Sequence, residues 1–181
     1  MTTARRHDNL VLIGMPGVGK STVGVLLAKA TSRHFLDTDV FIQAHERRTL
    51  QAILDAEGRD AFCRLEERYA LALSLSDHVI ATGGSVVYSD AAMEHLRASG
   101  KVVWLRLPLA ILEARLSNLK WRGVVMAPAQ SLAEVLAARE PLYRKWADLA
   151  VDCEGLTADQ VVGKILARLE AEPRAPRKRN G

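Results

Sequence analysis

The sequence has 181 residues, 49% hydrophobic and 25% charged, which fits a soluble globular protein able to bury one sizeable core. Its net charge is +4, and residues 172–181 hold four basic residues against one acid, so most of the excess sits in a Pro-rich terminal stretch. The rest is nearly neutral, with no basic stripe among aromatics, no apolar run near the ~18 residues of a membrane span, and only two distant cysteines, Cys63 and Cys153. Nucleic-acid binding, membrane insertion, a disulfide scaffold and a Cys-based zinc site are therefore set aside. No apolar leader core follows the first residues, so a cytoplasmic location is expected. Residues 1–171 read as one domain, expected to be monomeric, and 172–181 as a solvated, disordered tail.

In chain order, the first element is an apolar run over 9–13, read as a buried strand. It leads into Gly14-Met15-Pro16-Gly17-Val18-Gly19-Lys20-Ser21-Thr22, a match to G-x-x-x-x-G-K-[ST]. Apolar residues at helical spacing follow to 31. Strand, glycine-rich loop and helix N-terminus in that order make a P-loop, which binds a nucleoside triphosphate. Glycines let the backbone wrap a phosphate, and the N–H groups of Gly17, Val18, Gly19, Lys20, Ser21 and Thr22 supply donors at the positive end of a helix dipole. Lys20 reaches the β- and γ-phosphates, and the Ser21 hydroxyl can ligate Mg²⁺.

Residues 34–39 read as a short strand ending in Asp37 and Asp39, and 40–48 as helical. Thr49 caps a helix to 56, Gly58 breaks it, and 61–75 forms a longer helix. A strand over 78–82 closes on Gly83-Gly84; then come a helix over 90–99, a strand over 101–107 and a helix over 109–119. A polar segment over 120–130 precedes a helix capped by Ser131 and running to about 140, a strand over 149–152 and an amphipathic helix over 157–171. Strands alternating with helices predict an α/β fold, a parallel sheet covered on both faces, with its chemistry at the strands' carboxyl ends.

Several residues at those ends are candidates. Asp37 and Asp39, two apart on a strand end, point to one side; one could help hold Mg²⁺ while the other accepts a hydroxyl proton. An isolated D-x-D reads first as two solvated acids in a turn, and less so beside a P-loop. Gly83 and Gly84 permit close backbone approach to a ligand or simply make a turn. Arg115 and Arg122 fall at a helix end and in a lid segment over about 116–130, where arginine suits a transferring phosphoryl group or is merely solvated. Arg139 falls at a helix end, with either reading open.

Taken together, the P-loop, Leu36-Asp37-Thr38-Asp39, Ala61-Phe62-Cys63-Arg64-Leu65-Glu66-Glu67, the Gly-Gly turn, the arginine-bearing segment and Arg139-Glu140-Pro141-Leu142-Tyr143 resemble the shikimate kinase family over residues 9–170. The resemblance implies a three-layer P-loop kinase fold with a five-stranded parallel sheet and a lid. It implies transfer of the ATP γ-phosphoryl group to the 3-hydroxyl of shikimate, giving shikimate 3-phosphate in aromatic amino acid biosynthesis. It assigns Lys20 to the phosphates, Ser21 and Asp37 to Mg²⁺, and Asp39 to the substrate hydroxyls and the base. Gly83 and Gly84 would approach the substrate ring, Arg115 would lie over the adenine, Arg122 would swing in towards the phosphates, and Arg139 would pair with the carboxylate.

The sequence also departs from that pattern. The family's second carboxylate-gripping arginine is replaced by Cys63, its third glycine by Ser85, and the lid's usual Arg-Pro-Leu-Leu by Arg122-Gly123-Val124-Val125. Arg64 is no simple stand-in, since one residue along a helix turns the side chain by about 100°. Arg59, one turn before Cys63, can reach the same anion if the helix extends back that far. Two alternatives stay open: a kinase of the same fold for another small hydroxylated acceptor, and a nucleotide-binding regulatory module without turnover.

Overall fold

A computed structural model of the chain describes residues 8–118 and 130–171. Arg122, most of the expected lid segment and the basic tail lie outside the described residues. The described residues form a five-stranded sheet, all parallel, in the order β2-β3-β1-β4-β5. Its strands are β1 (Asn9–Ile13), β2 (His34–Asp37), β3 (His78–Ala81), β4 (Gly100–Arg106) and β5 (Leu149–Asp152). All five residues of central β1 are buried although alternate side chains point to opposite faces, so both faces are covered. Helices α1 (Lys20–Thr31) and α7 (Ala158–Ala171) pack together, as do α3 (Leu50–Ala72) and α4 (Asp90–Ser99). The remaining helices are α2 (Thr38–Glu46), α5 (Leu109–Asn118) and α6 (Leu132–Trp146). Asn9 starts β1 as a buried polar stitch: its amide donates to the Leu75 carbonyl at 2.7 Å and its side-chain oxygen accepts from His78 N–H at 2.9 Å. A small second core of Ile42, Leu50, Ile53, Phe62 and Leu65 joins α2 to α3. Among the described residues no helix is long and apolar enough to cross a membrane.

Several boundaries differ from the sequence expectation, three of them at the site. First, β2 ends at Asp37, so Asp39 is not on a strand. The Asp37 carboxylate accepts from the N–H groups of Asp39 (2.9 Å) and Val40 (3.2 Å), which caps α2 and starts the helix at Thr38. Second, α6 continues past Pro141 to Trp146, so Arg139 is mid-helix rather than at a helix end. Proline forfeits one rung of the hydrogen-bond ladder, but burial of Tyr143 and Trp146 in the core offsets the loss. Third, a 3₁₀ turn over Val86–Tyr88 follows the Gly-Gly pair. The expected break at Gly58 is present, with φ 79° and ψ 173°, and its second helical segment ends at Ala72 rather than at 75.

Candidate active site

The P-loop leaves the central strand and enters α1 through Gly19, whose φ of 104° is in the left-handed region. No side chain caps α1 and no acid stands in its first turn. Side-chain oxygens of Asp37, Thr49, Ser89 and Ser131 cap α2, α3, α4 and α6 instead. The exposed start of α1 therefore keeps its donors for an anion. Lys20 folds over the loop, donating to the carbonyls of Gly14 (2.8 Å) and Met15 (3.0 Å). Partial withdrawal from water pulls its pKa down to about 8, against the opposing pull of Asp39. From α5, Arg115 Nη1 donates to the carbonyls of Gly17 and Val18, both at 3.2 Å, so it braces the loop.

These groups share a cleft of about 520 Å³ lined by Pro16, Gly17, Gly19, Lys20, Ser21, Thr22, Asp37, Asp39, Thr82 and Arg115. The Ser21 hydroxyl donates to Asp37 Oδ2 at 2.5 Å. Asp37 Oδ1 is occupied by capping α2, which fixes the carboxylate in place. A hydroxyl beside a fixed carboxylate, both hard oxygen donors, fits a Mg²⁺ ion that takes its remaining ligands from water and phosphate.

Beyond Lys20 the cleft turns acidic. Asp39, half-buried in the first turn of α2, is pushed up to about 6 by loss of solvent, with Lys20 pulling the other way. Glu66 of α3 is buried and pushed up to about 8, first by burial and then by Asp39, while Arg139 and Lys20 oppose. The Ser85 hydroxyl donates to Glu66 Oε2. Gly83 lies between the two acids: a Cβ there would overlap Glu66 Oε1 and stand 2.9 Å from Asp39 Oδ1. A Cβ on Gly84 would come within 2.8 Å of Arg139 Nη1 and 3.2 Å of the Pro16 ring. The Gly-Gly turn is thus packed against charged side chains, and it is fixed from α6 by the Tyr143 hydroxyl, which donates to the Gly84 carbonyl at 3.2 Å.

Arg139, only 1% exposed, lies with its guanidinium carbon 5.3 Å from the Tyr88 ring centre and donates from Nε to the Tyr88 oxygen at 3.3 Å. The Arg59 guanidinium lies 5.4 Å from the same ring centre. Cys63 is half-buried one helical turn after Arg59; burial pushes its thiol up, and Ser85, Arg59 and Arg139 pull it back. Arg64 is exposed, in line with the 100° turn between successive helix positions.

The structure therefore brings Gly17, Gly19, Lys20, Ser21, Thr22, Asp37, Asp39 and Arg115 around one cleft, while the Val18 side chain is buried in the core, and Gly83, Gly84 and Arg139 adjoin the cleft through Asp39 and Glu66. Asp37 and Asp39 converge because one caps the helix that carries the other; strand periodicity plays no part. Sequence reasoning assigned nothing to Glu66, Tyr88 or Tyr143. The signal for Glu66 was present: it lies four residues after Phe62 on the buried face with Leu65 and Ala70, where an acid is out of place. Tyr88 gave no such signal, since it depends on the turn over Val86–Tyr88.

Comparison with known proteins identifies the family. The profile of the family described as shikimate kinase matches residues 16–170. A shikimate kinase of Thiobacillus denitrificans is 41% identical over 150 residues, 81% of this chain and 82% of its own length. One from Pseudomonas syringae pv. tomato is 38% identical over 168 residues, 91% of this chain and 98% of its own. Among solved structures, the shikimate kinase of Acinetobacter baumannii in complex with shikimate superposes with a TM-score of 0.84 at 32% identity, covering 92% of this chain and 96% of that one. With its P-loop, its five parallel strands and nearly its whole length matched, the chain belongs to the shikimate kinase family.

Proposed function

We propose that this protein transfers the γ-phosphoryl group of ATP to the 3-hydroxyl of shikimate. The observation that carries the reading is the shared cleft: the P-loop lysine, the Ser21–Asp37 pair and a carboxylate of raised pKa line one space. On binding ATP, Lys20 exchanges the Gly14 and Met15 carbonyls for the β- and γ-phosphate oxygens, and the N–H groups at the start of α1 close on the phosphates. Ser21 and Asp37 would hold Mg²⁺, which supplies charge neutralisation on the triphosphate. Arg115, already holding the loop carbonyls, covers the nucleotide side.

On the acceptor side, Asp39 takes the proton of the attacking hydroxyl as the new O–P bond forms and the bond to the β-phosphate oxygen breaks, releasing ADP. Its position against Gly83 keeps that carboxylate where backbone alone separates it from a substrate ring. Arg139 meets the substrate carboxylate beside Gly84, and Cys63 lines the same wall. Arg122, outside the described residues, is assigned to the transferring phosphoryl group on sequence grounds. The reading includes a lid over about 116–130, one domain over 1–171, and a monomeric, cytoplasmic protein with Cys63 and Cys153 as free thiols.

The deciding experiment is coupled ADP release from ATP and Mg²⁺ with and without shikimate, with the product phosphate located by ³¹P NMR. Shikimate-dependent turnover, lost in a folded Lys20→Ala variant, is the expected result. ADP release that ignores shikimate, or survives in Lys20→Ala, refutes the assignment.

A further inference from the structure

A second cavity, of about 310 Å³, opens beside the P-loop and shares no lining residue with the nucleotide cleft. The two come together at one peptide bond, since Met15 lines this cavity and Pro16 lines the cleft. The cavity sits where β4 and β5 end, against α6. Strand alternation accounts for the place. Trp104 and Arg106 share one face of β4, and Trp104 stacks on Tyr143 of α6 with ring centres 5.7 Å apart. Gly17, Lys20 and Arg115, which form the nucleotide side, are in the walls of the cleft and not of this cavity.

Its floor is apolar: Met15, Trp104, Leu105 and Leu107 are each no more than 8% exposed. Leu109 and Leu136 also line it but stay partly exposed, so apolar surface faces water there that a ligand can cover. The charged lining residues are three acids and one base. Asp152 is answered by Arg106 Nε at 3.2 Å, and Glu140 by Arg144 at 3.1 Å. Arg106 is held a second time, its guanidinium carbon 5.0 Å from the Trp104 ring centre. Glu154 has no ion pair among the described residues and is exposed. An excess of carboxylates over an apolar floor favours a cation. Among the described residues no three metal-binding side chains converge, so the cation that suits this cavity is organic rather than a metal ion. Its volume is near the lower end for small-molecule pockets, roughly 300–1,000 Å³, which leaves room for one ring and a short chain.

We infer that this cavity is a second ligand site, separate from the nucleotide cleft, which takes a compact primary amine on an aromatic or apolar body. The body packs on Trp104 and Leu107, and the ammonium meets Glu154. Trp104, clasped between Tyr143 and Arg106, is already fixed before the ligand arrives, so little order has to be imposed on binding. Binding there does not depend on phosphoryl transfer.

The test is isothermal titration calorimetry of phenethylamine into the full chain, with and without saturating ADP and Mg²⁺, and of phenylacetate as its anionic counterpart. Phenethylamine is expected to bind one site with a Kd of about 0.1 to 1 mM, the scale for a ligand of that size, and to shift less than about threefold when ADP is present. Phenylacetate binds at least about tenfold more weakly. Glu154→Gln weakens phenethylamine about three- to tenfold without weakening phenylacetate. Leu136→Trp, which fills the cavity, removes binding; where its melting profile departs from wild type, Glu154→Gln alone decides. No binding to the wild-type chain, displacement by ADP, equal affinity for the anion, or unchanged affinity in Glu154→Gln each overturns the inference.

Discussion

If Asp39 accepts the hydroxyl proton, its raised pKa has to appear in the rate. The ordinary value for such a carboxyl is 3.8; burial beside Glu66 and Gly83 pushes it up to about 6. Only the ionised form is a base. At pH 7 a group with that pKa is about 91% ionised and at pH 5 about 9%, so kcat/KM for shikimate falls roughly tenfold across that interval. An unperturbed aspartate would be more than about 90% ionised even at pH 5, and the profile would be nearly flat. Asp39→Asn removes the limb and lowers kcat by about 10² to 10⁴. Because Asp39 also favours the charged form of Lys20, the assay is run at saturating ATP, where the triphosphate favours it instead. Glu66→Gln is the control: Glu66 remains protonated while Asp39 titrates, so the limb near pH 6 stays in place. A flat profile from pH 5 to 7, or an Asn variant within tenfold of wild type, refutes a base at this position.

Gly83→Ala forces a methyl group into Glu66 and against Asp39, so acceptor turnover is expected to fall at least a hundredfold while ATP binding, followed by calorimetry, stays within a factor of about three. An Ala variant of normal kcat/KM shows that the two acids move aside freely. Glu66 has a pKa of about 8 in the fold against an ordinary 4.5, so the folded state holds an extra proton between those values and stability declines as pH rises through that window. Urea midpoints at pH 5 and pH 8 are expected to drop further for wild type than for Glu66→Gln; an equal drop in both proteins removes Glu66 as the source.

How far the sequence led depends on whether the chemistry is local. The P-loop was legible because strand, loop, lysine and helix start are contiguous, and the α1 N-terminus has the uncapped form that the motif requires. The five strands were legible from apolar runs, to within a residue or two. Asp39 was found for the wrong reason, since a side chain's capping choice moved the strand end by two residues. The turn over Val86–Tyr88 and the extension of α6 past Pro141 escaped because both depend on partners distant in sequence. Tyr143 reaches Gly84 across 59 positions and Tyr88 meets Arg139 across 51, pairings that no local spacing encodes.

The two acceptor-side departures, Cys63 and Ser85, are one physical change. Of the three residues after Thr82, the first two tolerate no Cβ because Glu66, Asp39 and Arg139 crowd them. The third carries a side chain and uses it: the Ser85 hydroxyl donates to Glu66, beside Cys63. An arginine at position 63, as the family resemblance expects, would put a cation near Glu66 and favour its ionised form. With a thiol there, two weaker devices remain, a neutral hydrogen bond from Ser85 and a pKa high enough to leave Glu66 largely protonated near neutrality. A protonated Glu66 needs no counter-ion, so a local cation is no longer required at position 63. Arg59, one turn before Cys63 on the same helix, keeps its guanidinium carbon 5.4 Å from the Tyr88 ring centre.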